Sequence, residues 1–143
     1  MKNLTRIGLI VIIVFSVYAC TRYDYDQPDT FANQAGFKRH FGFPVPASVT
    51  DLYYFADELG ADVKYQLGFV ADHEAVEKIV TALNLVQREP DFSSSIAQEF
   101  DWWDADVIDG LTPYWKRSSD EDYYWLLWYD TGSQRVYYIE YSL

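Results

Sequence analysis

The segments YYWLLWY, residues 123–129, and RVYYIEY, residues 135–141, consist mainly of aromatic and branched apolar residues. Such residues favour β-strands because they fit the pleated surface of a sheet. Between them lies DTGS, residues 130–133, a composition typical of a tight turn. The sequence therefore predicts a β-hairpin here. A hairpin needs further strands or a helix to be stable in water.

Two more strands are predicted upstream of the hairpin. Residues 62–70 (DVKYQLGFV) alternate between apolar and other residues, which is the period of a strand with one buried face. The apolar positions are Val63, Tyr65, Leu67 and Phe69, and the positions between them are Lys64, Gln66 and Gly68. Residues 49–56 (VTDLYYFA) predict a second strand, joined to the first by a turn near Gly60. A helix capped at Ser48 is the alternative for this segment.

The clearest helix signal covers residues 72–84 (DHEAVEKIVTALN). Asp72 is a suitable N-cap, and Glu74 and Glu77 carry the charge that the positive end of a helix dipole favours. Apolar residues recur with helical spacing at Val76, Ile79, Val80 and Leu83. The sequence therefore predicts an amphipathic helix that packs this apolar stripe against the sheet.

The element order β-β-α-loop-β-β indicates an α+β fold, in which one principal helix packs on a small, mainly antiparallel sheet. We expect a single globular domain over residues 36–143. Residues 20–35 are mostly polar and show no periodicity, so they predict a flexible tether. Residues 36–48 contain two prolines and two glycines, which argues against a regular helix. Residues 93–122 predict a short helix from Ser95, followed by a loop.

Charge and aromatic content are the unusual features of the composition. The chain holds 22 acidic and 11 basic residues, and 5 Trp, 13 Tyr and 9 Phe make 19% of it aromatic. Aromatic residues beyond those that fill a small core lie at the surface, where they mark binding faces. A strongly acidic domain is repelled by nucleic acid and by anionic head groups, and it favours cationic partners.

The N-terminus carries a targeting signal. Lys2 and Arg6 precede an apolar run over residues 7–17. This run is shorter than the roughly 20 apolar residues that a membrane-spanning helix needs. A basic segment followed by a short apolar one predicts a signal peptide over residues 1–19.

The apolar run ends on VYAC, residues 17–20, which resembles the lipobox of bacterial lipoproteins. Three of the four residues match, whereas Tyr18 is larger than the residue that is usual there. The resemblance implies cleavage before Cys20, a diacylglycerol on its thiol, and stable membrane anchoring by two or three acyl chains. It places the domain in the cell envelope. Thr21, in place of an aspartate, implies the outer membrane where the cell has one.

Lipidation at Cys20 would limit the chemistry of the domain. Because Cys20 is the only cysteine, no thiolate nucleophile, zinc–thiolate site or disulfide would remain. Cleavage would also remove Lys2 and Arg6, which leaves nine basic residues against 22 acidic ones and a net charge of −13. Both this charge and the compartment argue against nucleic-acid binding.

The sequence predicts no catalytic residue, cofactor or metal. His40 and His73 are the only histidines, and neither belongs to an HExxH motif. The serines at 93–95 lack the motif that surrounds a nucleophilic serine. Counted from Asp104, an EF-hand loop would need Gly and Glu at its sixth and twelfth positions. This chain has Asp109 and Trp115 there.

The best candidate for a functional segment is DWWDADVIDG, residues 101–110. One interpretation is a solvated acidic loop that a tryptophan holds against the core. The other is a binding loop, in which at least one indole is exposed as an anchor and the carboxylates meet a cationic partner. The candidate binding residues are Trp102, Trp103, Asp104, Asp106, Asp109 and Trp115.

Two functions follow from these observations. The first is a non-enzymatic module, anchored to the membrane by lipid, that binds a cationic protein of the cell envelope. The alternative is a small envelope enzyme or sugar-binding protein that uses the same loop, because glycosidases also place carboxylates beside aromatic rings.

Overall fold

One six-stranded antiparallel sheet organises the protein, with strand order β1-β2-β6-β5-β4-β3. The computed structural model describes residues 23–58, 62–92, 97–120 and 122–142. The helices are α1 (Phe31–Phe41), α2 (His73–Leu83) and α3 (Ala105–Asp109). The strands are β1 (Thr50–Asp57), β2 (Lys64–Val70), β3 (Val86–Gln87), β4 (Tyr114–Arg117), β5 (Tyr123–Asp130) and β6 (Arg135–Ser142). The predicted α+β class is confirmed.

The predicted hairpin is the centre of the sheet. Strands β5 and β6 pair from Tyr123 opposite Ser142 to Asp130 opposite Arg135. In the turn, the Asp130 carboxylate accepts hydrogen bonds from the backbone N–H groups of Gly132 and Ser133. Strand β2 pairs with the outer side of β6, and β1 pairs with β2. The segment over residues 49–56 is therefore a strand, and its helical alternative is wrong.

Helix α2 forms where its sequence predicts it. The Asp72 side chain accepts a hydrogen bond from Ala75 N at 2.9 Å, and Asn84 ends the helix in the left-handed conformation, with φ of 54°. Val76 and Ile79 are buried in the core, and the other two residues of the apolar stripe are partly buried against it.

Helix α1 contradicts two predictions. It covers residues assigned to the tether and to the segment expected not to be helical. Thr30 caps its first turn, Gly42 ends it with φ of 80°, and both prolines of the 36–48 segment follow that end. The tether prediction is wrong from residue 23 onward, because hydrogen bonds join this segment to β1. Asp29 donates its backbone N–H to the oxygen of Leu52, and Tyr54 of β1 donates its backbone N–H to the oxygen of Asp24.

The predicted element order is also incomplete. The segment over residues 93–122 contains α3 and β4, β3 precedes that segment, and α1 precedes the first strand. A helix from Ser95 falls partly on residues 93–96, which lie outside the described ranges, and residues 97–100 are not helical. The short helix that is present begins ten residues later, where the Asp104 side chain accepts from Val107 N.

The sheet is covered on both faces, so the alternating pattern of β2 does not correspond to one buried and one solvated face. Helices α1 and α2 cover the face of Leu67 and Phe69, whereas residues 97–111 cover the opposite face. On that opposite face Gln66 is buried and exchanges hydrogen bonds with the backbone of Gln98. A glycine at position 68 leaves room for the indole of Trp102. The covering segment and the edge of β1 together form the site described next.

Candidate functional site

Trp102 is held in a stack of three aromatic rings. Its indole is parallel to the ring of Tyr53 on β1 and to the ring of Phe100, with centroids 5.5 and 4.8 Å away. The indole Nε1 donates to the backbone oxygen of Tyr25 at 2.6 Å. The stack is possible because residue 68 is a glycine. A Cβ at this position would lie only 2.4 Å from the indole. Trp102 thus joins the N-terminal segment, the edge strand and the covering segment.

A cleft of about 440 Å³ lies beside this stack. Three exposed carboxylates, those of Asp26, Glu99 and Asp101, line it. The ring of Tyr25, which is 47% exposed, forms another part of the wall. Among the residues that the structure describes, the one cation of the lining is Arg135, whose Nη1 bonds Asp51 Oδ2 at 3.2 Å. Because that guanidinium is already paired, the carboxylates dominate the charge of the cleft.

The three candidate tryptophans are all core residues. Trp102, Trp103 and Trp115 are 6%, 8% and 1% exposed, so the expectation that one indole is exposed is wrong. Two adjacent tryptophans are both covered because Trp103 packs edge-on against Trp102 and also contacts Tyr137. Trp115 donates from Nε1 to the backbone oxygen of Arg88, on a strand remote from the cleft. Of the three, only Trp102 lines the cleft.

None of the three candidate aspartates lines the cleft. Asp104 is the N-cap of α3, and Asp106 and Asp109 are exposed on that helix. The sequence reasoning missed Tyr25, Asp26 and Glu99. The first two had been assigned to the tether, although an aromatic residue beside an acid there matches the composition that singled out residues 101–110.

A second cluster of polar groups is buried on the opposite face of the sheet. The Glu140 carboxylate accepts hydrogen bonds from His40 Nδ1 at 2.8 Å, from the Tyr123 hydroxyl at 2.9 Å and from the Tyr138 hydroxyl. The other ring nitrogen of His40 lies 2.9 Å from the Tyr54 hydroxyl. The cluster borders a cavity of about 490 Å³.

These contacts account for the ionisation of the cluster. Burial raises the pKa of Glu140, but hydrogen bonds from His40, Tyr138 and Tyr123 outweigh burial, and the pKa lies below its ordinary value of 4.5. Burial and the Glu140 charge raise the pKa values of Tyr123 and Tyr138 well above 10. Within the described ranges, every buried side-chain nitrogen and oxygen has a partner. The polar groups of the cluster therefore satisfy one another's hydrogen bonds, and we assign the cluster a role in stability rather than in proton transfer.

Within the part of the chain that the structure describes, no group of three or more His, Cys, Asp or Glu is arranged to hold a metal ion. The same residues include no helix long and apolar enough to cross a membrane. The predicted signal peptide and Cys20 lie outside the described residues. No protein-family model, no curated protein and no solved structure matches the chain.

Proposed function

We propose that this protein is a lipid-anchored component of the bacterial cell envelope that binds a cationic group of another envelope protein in the acidic cleft. The module is not an enzyme. The observation that carries the proposal is the cleft itself, in which three exposed carboxylates surround an aromatic wall.

A cationic side chain is the occupant that best fits this lining. Carboxylates form charge-assisted hydrogen bonds with an ammonium or guanidinium group, and these bonds are stronger than those between neutral groups. The exposed ring of Tyr25 offers a face to the same cation. The stacking of Trp102 on Tyr53 and Phe100 holds the aromatic wall of the cleft in place before a partner binds. Such preorganisation reduces the ordering cost of binding.

The net charge adds a longer-range attraction. The acid excess of the chain steers a basic partner toward the domain and repels acidic ones. This attraction is screened by salt, with a Debye length of about 8 Å at physiological ionic strength. The association rate should therefore fall as salt is raised, whereas the dissociation rate should change less.

Capture of the partner tests the cleft. We expect the tagged protein to retain a stoichiometric protein from detergent-solubilised envelope of its own cell. The triple variant Asp26→Asn/Glu99→Gln/Asp101→Asn should associate with that protein at least about tenfold more slowly at low salt. The control Glu77→Gln/Asp106→Asn/Asp109→Asn makes the same change in net charge at exposed positions outside the cleft and should retain wild-type binding apart from a smaller steering effect. Equal losses in the two variants, or retention of envelope glycan without protein, would contradict the proposal.

Lipid attachment is tested separately at Cys20. Cys20→Ser should abolish metabolic labelling by palmitate and cause the uncut precursor to accumulate, because the thiol is the proposed acylation site. Thr21→Ser, a neighbouring change that leaves the thiol in place, should be labelled and cleaved normally. Persistent labelling of the Cys20→Ser variant would show that the anchor is not on this residue.

A further inference from the structure

The solvent-facing side of α1 carries an unusual apolar residue. Phe31, the first residue of the helix, is 87% exposed, the largest exposed fraction among the large apolar side chains that the structure describes. One turn later come Gln34 and Ala35, and another turn later Lys38. Together with Pro44 and Val45 these residues line an open groove of about 630 Å³. We call this surface the α1 face.

The charge of the α1 face is opposite to that of the rest of the domain. In a chain with 22 acidic residues, residues 30–50 contain none, and the basic residues that they expose are Lys38 and Arg39. Lys38 is exposed. Arg39 bonds Glu58 at 3.1 Å, so part of its charge is neutralised locally. Lys78 of α2 lies 4.3 Å from the ring of Phe43, which adds a cation beside the same segment. A face that presents both an exposed aromatic ring and basic side chains is typical of a surface that rests on anionic lipid.

The proposed lipid on Cys20 would hold the start of the domain close to the membrane. Tyr23, three residues after Cys20, packs edge-on against the rings of Tyr54 and Phe55. The next residue, Asp24, donates its backbone N–H to Asn33 of α1 at 2.9 Å. Three residues span at most about 10 Å. A lipid on Cys20 would therefore hold Tyr23, where the described domain begins, within about 10 Å of the bilayer surface, and the hydrogen bond from Asp24 to Asn33 places α1 beside that point.

We infer that the α1 face docks on the anionic bilayer to which the protein is anchored. The ring of Phe31 enters the interfacial region, and Lys38 meets the anionic head groups. The inference rests on the lipid anchor of the proposed function. It does not depend on the partner of the cleft. Docking would fix the orientation of the acidic cleft relative to the membrane instead of leaving the domain free to rotate.

Depth-dependent quenching tests the inference on the lipidated protein. Acylation would occupy the native thiol, so a cysteine introduced as Phe31→Cys gives one labelling site for an environment-sensitive fluorophore. In vesicles of phosphatidylcholine with phosphatidylglycerol, lipids with quencher-bearing acyl chains should quench this label. The control label at Ser119→Cys, an exposed position between β4 and β5, should remain unquenched. In pure phosphatidylcholine the label at position 31 should be quenched less.

Charge reversal provides a second variant with the fold intact. Lys38→Glu, made in the Phe31→Cys protein, should lower the equilibrium constant for docking roughly 25-fold in anionic vesicles, about fivefold for each unit of charge, and the quenching should fall accordingly. A protein that floats with the vesicles but is quenched equally at positions 31 and 119 overturns the docking. A label protected from water but unquenched at every lipid composition also overturns it, because another copy or protein then covers the face. A protein that fails to float would instead refute the anchor, and the inference with it.

Discussion

Glu140→Ala is expected to lower the free energy of unfolding by about 3–5 kcal/mol, as the loss of one partner from a buried ionic network generally does. The variant leaves His40, Tyr123 and Tyr138 without their common acceptor. Tyr138 is fully buried, so water cannot replace the carboxylate without opening the core. Urea unfolding followed by circular dichroism measures the change.

A matched pair of groups on α2 is the control for Glu140. Glu77 also pairs with a histidine, His73 Nε2, at 3.2 Å, but both side chains are exposed. Glu77→Ala should therefore change the stability by no more than about 0.5 kcal/mol. If Glu77→Ala and Glu140→Ala had equal effects, the buried cluster would not contribute to stability as we infer.

The same carboxylate gives a pH dependence with a defined sign. The pKa of Glu140 is lower in the folded protein than its ordinary value of 4.5. The ionised form is therefore favoured by folding, and its contribution is present above about pH 4.5. It is lost as the pH falls through the folded-state pKa. Glu140→Gln should lose this part of the acid dependence, so its stability curve should be flatter than that of the wild type below pH 4.5.

The elements that the sequence predicted are those whose signals are local. The hairpin of β5 and β6 depends on two aromatic strands and a turn between them, all within residues 123–142. Helix α2 has its N-cap, its apolar stripe and its C-terminal asparagine within thirteen residues. No distant contact has to be known for either inference, because propensity, capping and periodicity agree.

Helix α1 was missed because its stability comes from distant contacts rather than from a strong local pattern. Gly36 weakens helix propensity, but it allows close approach to Tyr54, whose ring would lie 2.4 Å from a Cβ. Asn33 is buried and polar, and its amide bonds the backbone oxygens of Gln27 and Leu52. Each feature argues against a helix when read alone, and each is explained by contacts with β1 or the segment beside it.

The acidic cleft was only half predictable for a similar reason. The composition of residues 101–110 singled out a segment that contributes Asp101 and Trp102 to the cleft. Glu99 and Phe100 immediately precede this segment, whereas the rest of the lining lies far away in the sequence, at Tyr25, Asp26, Tyr53 and Arg135. The burial of Trp103 and Trp115 could not be anticipated, because a pattern with one buried face per strand does not show that both faces of this sheet are covered.

Trp102→Ala is the second variant with a large expected effect. Truncation of a buried tryptophan costs about 3–5 kcal/mol, since it removes apolar contacts and leaves a cavity. The indole contacts Tyr53, Phe100 and Trp103, and its N–H satisfies the backbone oxygen of Tyr25. The melting temperature should fall. The proposed binding in the cleft should also weaken at temperatures where the variant is folded, because the aromatic wall is no longer held in place.

Gly68 supplies the independent check on this account of Trp102. Gly68→Ala places a Cβ where the indole stands and should cost about 1–3 kcal/mol by overpacking. In the double variant Gly68→Ala/Trp102→Ala the added methyl group occupies space that the indole has vacated. Gly68→Ala should therefore cost little in the Trp102→Ala background, and the double-mutant cycle should give a coupling energy of about 1–3 kcal/mol. Gly110→Ala is the control, because its Cβ would be 3.5 Å from the nearest atom and its φ of −88° suits alanine. Additive losses at positions 68 and 102 would mean that contact with Trp102 is not what keeps position 68 a glycine.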